Sequence, residues 1–184
     1  EIASVGHTGK IRGAVLLDQN DLVLRPALIW CDQRSAVQCE QLTNSIGATR
    51  LIELTSNPAL TGFTLPKMLW VRDNEPHFWK QVRTVLLPKD YVRFKLTGEK
   101  ATDVADASGT LLFNVAKRKW SDEMMAATDI NQGLLPKVYE SPEITGRVSA
   151  VAAELTGLRA GIPVVAGAGD QAGGAVGIGI VQPG

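Results

Sequence analysis

The chain has 184 residues, 45% of them hydrophobic and 21% charged, with 19 basic and 19 acidic side chains and a net charge of zero. That is the balance of a globular chain long enough to bury a core without staples. There is no basic stripe for nucleic acid or an anionic membrane, and no run of 18 apolar residues to span one. Lys117-Arg118-Lys119 reads as a solvated turn. Cys31 and Cys39 fit no zinc or redox spacing, and His7 and His77 lie far apart, so no metal site built from His and Cys is expected. Few cysteines and no secretory leader point to a reducing, cytoplasmic setting. A start at Glu1 without methionine and a stop at Gly184 give the ends the look of a piece of something larger.

In chain order, Ile2–Val5, Ala14–Leu17 and Ala27–Trp30 are short apolar runs bounded by turn residues and read as strands. Asp18–Asp21 reads as a turn leading to a further short strand, Leu22–Leu24. From Arg34 to about Ile46 the pattern is helical, with Ala36, Cys39 and Leu42 on one face and Gly47 as the stop. Ala48–Leu54 continues as a second helix. Thr64 is placed to cap a third, in which Pro66 falls in the first turn. Glu75–Val82 reads as a helix, Thr84–Leu87 as a strand, and Asp90–Leu96 as a helix ended by Gly98. Ala101–Lys119 reads as loop and hairpin. Ser121–Thr128 and Ala150–Thr156 are helical, Ile162–Ala166 is a strand, and Gln171–Gly177 is a helix of small residues. Strands followed by alternating strands and helices give an α/β fold with a mixed sheet.

The stretch VVAGAGDQAGGAVGIG, from Val164 to Gly179, is where chemistry is expected. Gly167-Ala-Gly169-x-x-Ala172 after a strand fits a pyrophosphate loop. Two features oppose that. No acidic residue follows Asp170 to hold a ribose. Asp170 itself would repel a phosphate by about 4 kcal/mol at about 4 Å with an effective dielectric near 20. The other use of such a loop is to present Asp170. Glycines let a ligand approach the backbone, and a helix start keeps a carboxylate ionised. Such a group can take the proton of a hydroxyl as that oxygen attacks a phosphoryl group. From the loop alone, a plain helix cap and a general base stand equal.

Other stretches bear on the choice. GFTLPKMLWVRDNEP (Gly62–Pro76) resembles the signature of the FGGY carbohydrate kinases, with Thr64, Lys67, Trp70 and Asp73-Asn74 at its set spacing. LRPALIWCDQR (Leu24–Arg34), LLPKDYVRFKLTGE (Leu86–Glu99), ATDVADASGTLLFNVAKRKWS (Ala101–Ser121) and the glycine stretch resemble the xylulokinase branch, in the same order. The resemblance implies an actin-like, ribonuclease-H-like fold of two α/β domains around a cleft. It implies a sugar or polyol bound mainly by the first domain, and ATP with Mg2+ bound mainly by the second. Residues 1–160 would be the sugar-binding domain without its first strands. Residues 161–184 would be the catalytic loop and the crossing toward the second domain.

On the same comparison Asp170 is the catalytic base, and Gln171, commonly Asn in that branch, helps bind sugar hydroxyls. Trp30 lies against the substrate, and Gly167 and Gly169 shape the loop. Where the branch carries Gly-Gln-Met-His-Gly, this chain has Gly9-Lys10-Ile11-Arg12-Gly13, so Ile11 and Arg12 take the sugar-contacting places. Arg12 brings a permanent charge and a fork of donors, for binding a polyol or pairing with a nearby carboxylate. The expected reaction is phosphorylation of D-xylulose to D-xylulose 5-phosphate. Another pentulose or polyol is an alternative acceptor, and a non-catalytic polyol-binding module an alternative role. No metal ligand is expected in this stretch, the fragment alone is expected to be inactive, and a homodimer is the candidate assembly.

Six further residues receive simpler readings. Lys67 is expected to be solvated or ion-paired beside a packed Trp70. Asp103 and Asp106 are expected to cap local backbone, and Asp90 its own helix. Asp32 and Arg34 are expected to pair or to cap the helix near Arg34.

Overall fold

A computed structural model describes residues 2–182. The elements in order are β1 (Thr8–Gly9), β2 (Val15–Leu17), α1 (Ala36–Ile46), α2 (Ala48–Thr55), α3 (Thr64–Asn74), α4 (Pro76–Trp79) and β3 (Thr84–Leu86). There follow α5 (Pro88–Thr97), β4 (Ala101–Asp103), α6 (Val104–Ala107), β5 (Phe113–Asn114), β6 (Lys119–Trp120) and α7 (Asp122–Thr128). A 3-10 turn (Gln132–Leu134), β7 (Lys137–Tyr139), β8 (Ile144–Arg147), α8 (Ala150–Thr156), β9 (Pro163–Val165), β10 (Ala168–Gly169) and α9 (Asp170–Gly177) complete the described chain.

Strand pairing is mixed. β1 pairs with β10 and β4 with β7, both parallel, whereas β2–β3, β5–β6 and β8–β9 are antiparallel. An isolated parallel bridge joins Val5 to Val164. β2 is buried throughout, and its side chains divide as a strand must. Leu16 joins the large core, while Val15 and Leu17 join a small one with Leu86. The large core also takes Leu65, Met68, Leu69 and Val71 of α3, with Leu111, Leu112, Phe113 and Met124. A separate cluster of Val148, Ala152, Ile162 and Val164 sits beneath β8, β9 and α8.

Local chemistry explains most boundaries. Gly47, at φ 92°, separates α1 from α2, and Gly98, at φ 80°, ends α5 in the left-handed region where glycine is least strained. Asp18 takes the Asn20 and Leu22 amides on its Oδ1 and makes the expected turn.

Several expectations are corrected. Of Ile2–Val5 only Val5 forms a bridge, and of Ala27–Trp30 only Leu28, which meets Ala14. Pro26 has no N–H to offer, and Trp30 already lies in a turn. The helix expected over Glu75–Val82 is a single turn started by Pro76. Thr64 is the first helical residue rather than the cap; Phe63 holds that place, and the Thr64 hydroxyl donates to the Gly13 carbonyl at 3.4 Å. Within Ala101–Lys119 a strand and a helical turn precede the hairpin. β7 and β8 were not expected at all. No helix among the described residues is long and apolar enough to cross a membrane.

Candidate active site

The glycine loop is built by pairing at its root. The Ala166 carbonyl, one residue beyond β9, accepts from Lys89 Nζ at 3.1 Å and from Arg93 Nη1 at 2.7 Å. Gly167 then turns at φ 78°, and a Cβ there would overlap the His7 carbonyl oxygen, so only glycine fits. β10 runs parallel to β1 with Thr8 opposite Ala168 and Gly9 opposite Gly169. Gly169 is the helix cap, and a Cβ on it would drive into the Ile11 side chain, with Asp106 Oδ1 at 3.3 Å. The absent side chain is what lets the Ile11 stretch lie against the loop.

Asp170 is therefore the first residue of α9, not its cap. It is exposed, and its Oδ1 accepts the Gln171 amide at 2.9 Å. The carboxylate uses a helix-start donor that a phosphate would need, so this loop is a poor pyrophosphate cradle. Ile11, Arg12, Trp30, Asp170 and Gln171 line one cavity of about 300 Å³. All five were singled out from the sequence, and they come from three separate stretches. A larger hollow, about 720 Å³ near Lys119, Trp120 and Lys137, carries none of them.

The cavity wall has a buried support. Lys67 is 0% exposed, and its ammonium donates to the carbonyls of Thr61 (2.5 Å), Gly62 (2.6 Å) and Phe63 (3.1 Å). It is neither solvated nor ion-paired, contrary to expectation. Burial lowers its pKa to about 8. The Phe63 ring lies 4.5 Å beneath the Arg12 guanidinium, and Gly62 lies close to the Trp30 carbonyl. Lys67 thus pins the segment on which Arg12 and Trp30 rest. Asp32 and Arg34 pair as expected: Asp32 Oδ1 accepts the Arg34 amide at 3.0 Å and its side-chain Nε at 2.9 Å, but neither caps α1, where Ser35 holds the cap position.

Beneath the loop lies a buried charge cluster. Lys89 Nζ is 2.7 Å from Asp90 Oδ1, 2.7 Å from Asp103 Oδ2 and 3.5 Å from Asp106 Oδ2, and Arg93 also donates to Asp90. Asp103 caps α6 as expected, taking the Ala105 and Asp106 amides. Asp90 and Asp106 cap nothing. Neither oxygen of Asp106 makes a hydrogen bond, and burial raises its pKa to about 8. The three carboxylates present oxygens within 4.8 Å of one another, as a metal site would. The Lys89 ammonium already stands among them, so they do not fit a magnesium ion.

Sequence reasoning missed the roles of Lys67, Lys89, Arg93 and Asp106. One signal was available. Asp90 and Lys89 fall three and four residues before Arg93 on one helix, spacings that place each of them beside Arg93.

The matching family model is that of the FGGY family of carbohydrate kinases, N-terminal domain, over residues 1–177. The chain belongs to this family. It is 46% identical over 182 residues to a xylulose kinase of Escherichia coli (strain K12), covering 99% of this chain and 37% of that protein. A xylulose kinase of Bacillus subtilis (strain 168) is 41% identical over 184 residues, with 100% and 37% covered. The crystal structure of xylulose kinase from Rhodospirillum rubrum superposes with a TM-score of 0.96 at 29% identity, covering 100% of this chain and 38% of that one. The fold is thus the first domain of the actin-like ATPase fold. The chain spans a little over a third of the length of these relatives.

Proposed function

We propose that the protein containing this domain transfers the γ-phosphoryl group of ATP to a hydroxyl of a ketopentose, D-xylulose being the first acceptor to test. The sugar oxygen attacks phosphorus, the bond to the β-phosphate oxygen breaks and ADP leaves. Asp170 takes the hydroxyl proton as the new bond forms, because a carboxylate is too weak a base to remove it beforehand. The products are D-xylulose 5-phosphate and ADP. The single observation that carries this reading is the convergence of an exposed carboxylate, a tryptophan face and polar side chains on one cavity of about 300 Å³. Trp30 is 53% exposed, as suits a face held open for the C–H surface of a polyol. Gln171 supplies amide groups for its hydroxyls.

In this proposal residues 1–160 hold the sugar, and 161–184 carry the base and lead toward a second domain that binds ATP with Mg2+. Positions 183 and 184 lie outside the described residues. The test uses the full-length protein with MgATP and a panel of ketopentoses and polyols, following ADP release. Turnover on D-xylulose is expected. Sugar binding without turnover on any acceptor would replace the kinase with a polyol-binding module. In Asp170→Asn the rate is expected to fall at least about a hundredfold, the usual scale of a general base, with little change in sugar affinity. Near-normal turnover in that variant removes Asp170 from the role.

A further inference from the structure

The described residues leave one cation of the cavity unused. Arg12 lines the same cavity as Asp170, yet it is in no ion pair among the described residues, with Asp170 or any other carboxylate. Its backbone is held at φ 66°, a left-handed conformation uncommon for a long side chain and concentrated at functional sites. Its guanidinium carbon stands over the Phe63 ring, 4.5 Å from the centroid, and Phe63 is itself 2% exposed and backed by the segment Lys67 pins. The side chain is therefore fixed from below and by Gly109, against which its buried Nε packs, while its two Nη groups make no hydrogen bond or ion pair among the described residues. A held guanidinium with donors to spare, facing a polyol cavity, is the recognition element for a planar oxyanion, which it engages through two parallel N–H bonds.

We infer that Arg12 gives the cavity a further acceptor class, polyhydroxy carboxylates of the aldonate type, bound with the carboxylate on Arg12 and a hydroxyl at Asp170. The inference rests on the cavity being the acceptor site proposed above. The chemistry is unchanged: the acceptor hydroxyl gains the phosphoryl group of ATP, ADP leaves, and the proton passes to Asp170. The neutral ketopentose lacks the group that Arg12 engages, so the two acceptor classes separate at this one residue.

The experiment compares D-xylulose with D-xylonate and D-arabinonate as acceptors for the full-length protein with MgATP. It uses the wild type, Arg12→Gln and Arg12→Lys. The wild type is expected to phosphorylate at least one aldonate with kcat/KM no less than about a tenth of that for D-xylulose. In Arg12→Gln the aldonate-to-ketopentose ratio is expected to fall at least about thirtyfold, mostly through KM, the scale on which a paired charge is lost. Arg12→Lys keeps the charge without the fork and is expected to fall between. Turnover of D-xylulose with neither aldonate accepted overturns the inference and leaves the kinase standing. An unchanged ratio in Arg12→Gln overturns it too, since a wall or phosphoryl-binding role would lower both acceptors together. If no acceptor turns over, the kinase reading fails by itself. Calorimetric binding of D-xylonate then decides: affinity lost in Arg12→Gln sustains the anion site, and equal or absent binding in the wild type ends it. Thermal melting of each variant establishes that it is folded.

Discussion

Two buried titratable side chains give the protein opposite pH dependences in neighbouring ranges. Asp106 has its pKa raised by burial to about 8, above its value in an unfolded chain. The group facing it most directly is Lys89, with Asp90 and Asp103 adding repulsion. The stability it contributes is full below about pH 4 and is lost as pH rises through 8. Melting temperature is expected to fall between pH 5 and 8, and Asp106→Asn, scanned across the same range, to flatten that fall. Lys67 has its pKa lowered to about 8, so its contribution grows as pH rises from about 8 toward its ordinary value near 10.5. Lys67→Met leaves the Gly62 and Phe63 carbonyls without the ammonium and the Thr61 carbonyl with only a long bond from Ser35, and is expected to cost about 2–4 kcal/mol, read by chemical denaturation. Neither residue's state was legible in the sequence. A lysine at i−3 of a tryptophan on a helix looks solvated, and only the fold of Thr61–Phe63 beneath it makes it otherwise.

At the scale of elements, the site depends on the junction from β9 through β10 into α9. Gly167→Ala is expected to destabilise by at least about 2 kcal/mol, from the left-handed backbone and the overlap with the His7 carbonyl together. It would also displace Asp170, so kcat is expected to fall more than thermal stability alone explains when assayed below the melting range. The strand and the small-residue helix on either side of this junction were legible because apolar runs and glycines are local signals. So were α1 and α5, through periodicity and the glycines that stop them, and α2, which continues from Gly47 and ends at Ser56. β7 and β8 were not. Lys137–Tyr139 and Ile144–Arg147 carry charge and glycine, and they become strands only because β4 and β9 are there to pair with them. The five cavity residues were found through a resemblance between motifs. No periodicity places Trp30 beside Asp170.

For the whole molecule, the buried cluster of Lys89, Asp90, Arg93, Asp103 and Asp106 binds α5, β4 and α6 to the root of the glycine loop through the Ala166 carbonyl. Removing one partner of a buried ion pair strands the others. Lys89→Met is therefore expected to destabilise by about 3–5 kcal/mol, measured by denaturant unfolding. The far end of α9 is of another kind. Val176, Ile178, Ile180 and Val181 are all exposed. Those residues follow Asp170, and this chain covers 37% of the length of the Escherichia coli and Bacillus subtilis relatives named above.

The parallel pairing of Thr8–Gly9 with Ala168–Gly169 has a consequence for the order of events during synthesis. The two strands come from near opposite ends of the described chain, so the loop cannot close until almost all of it has been made. Every residue of α3 is made before Asp170, so the α3 core can form before the loop closes. In hydrogen exchange, the amides of Val165 and Ala168, which donate to Val5 and His7, should open in one step with the N-terminal segment, while those of α3 stay protected.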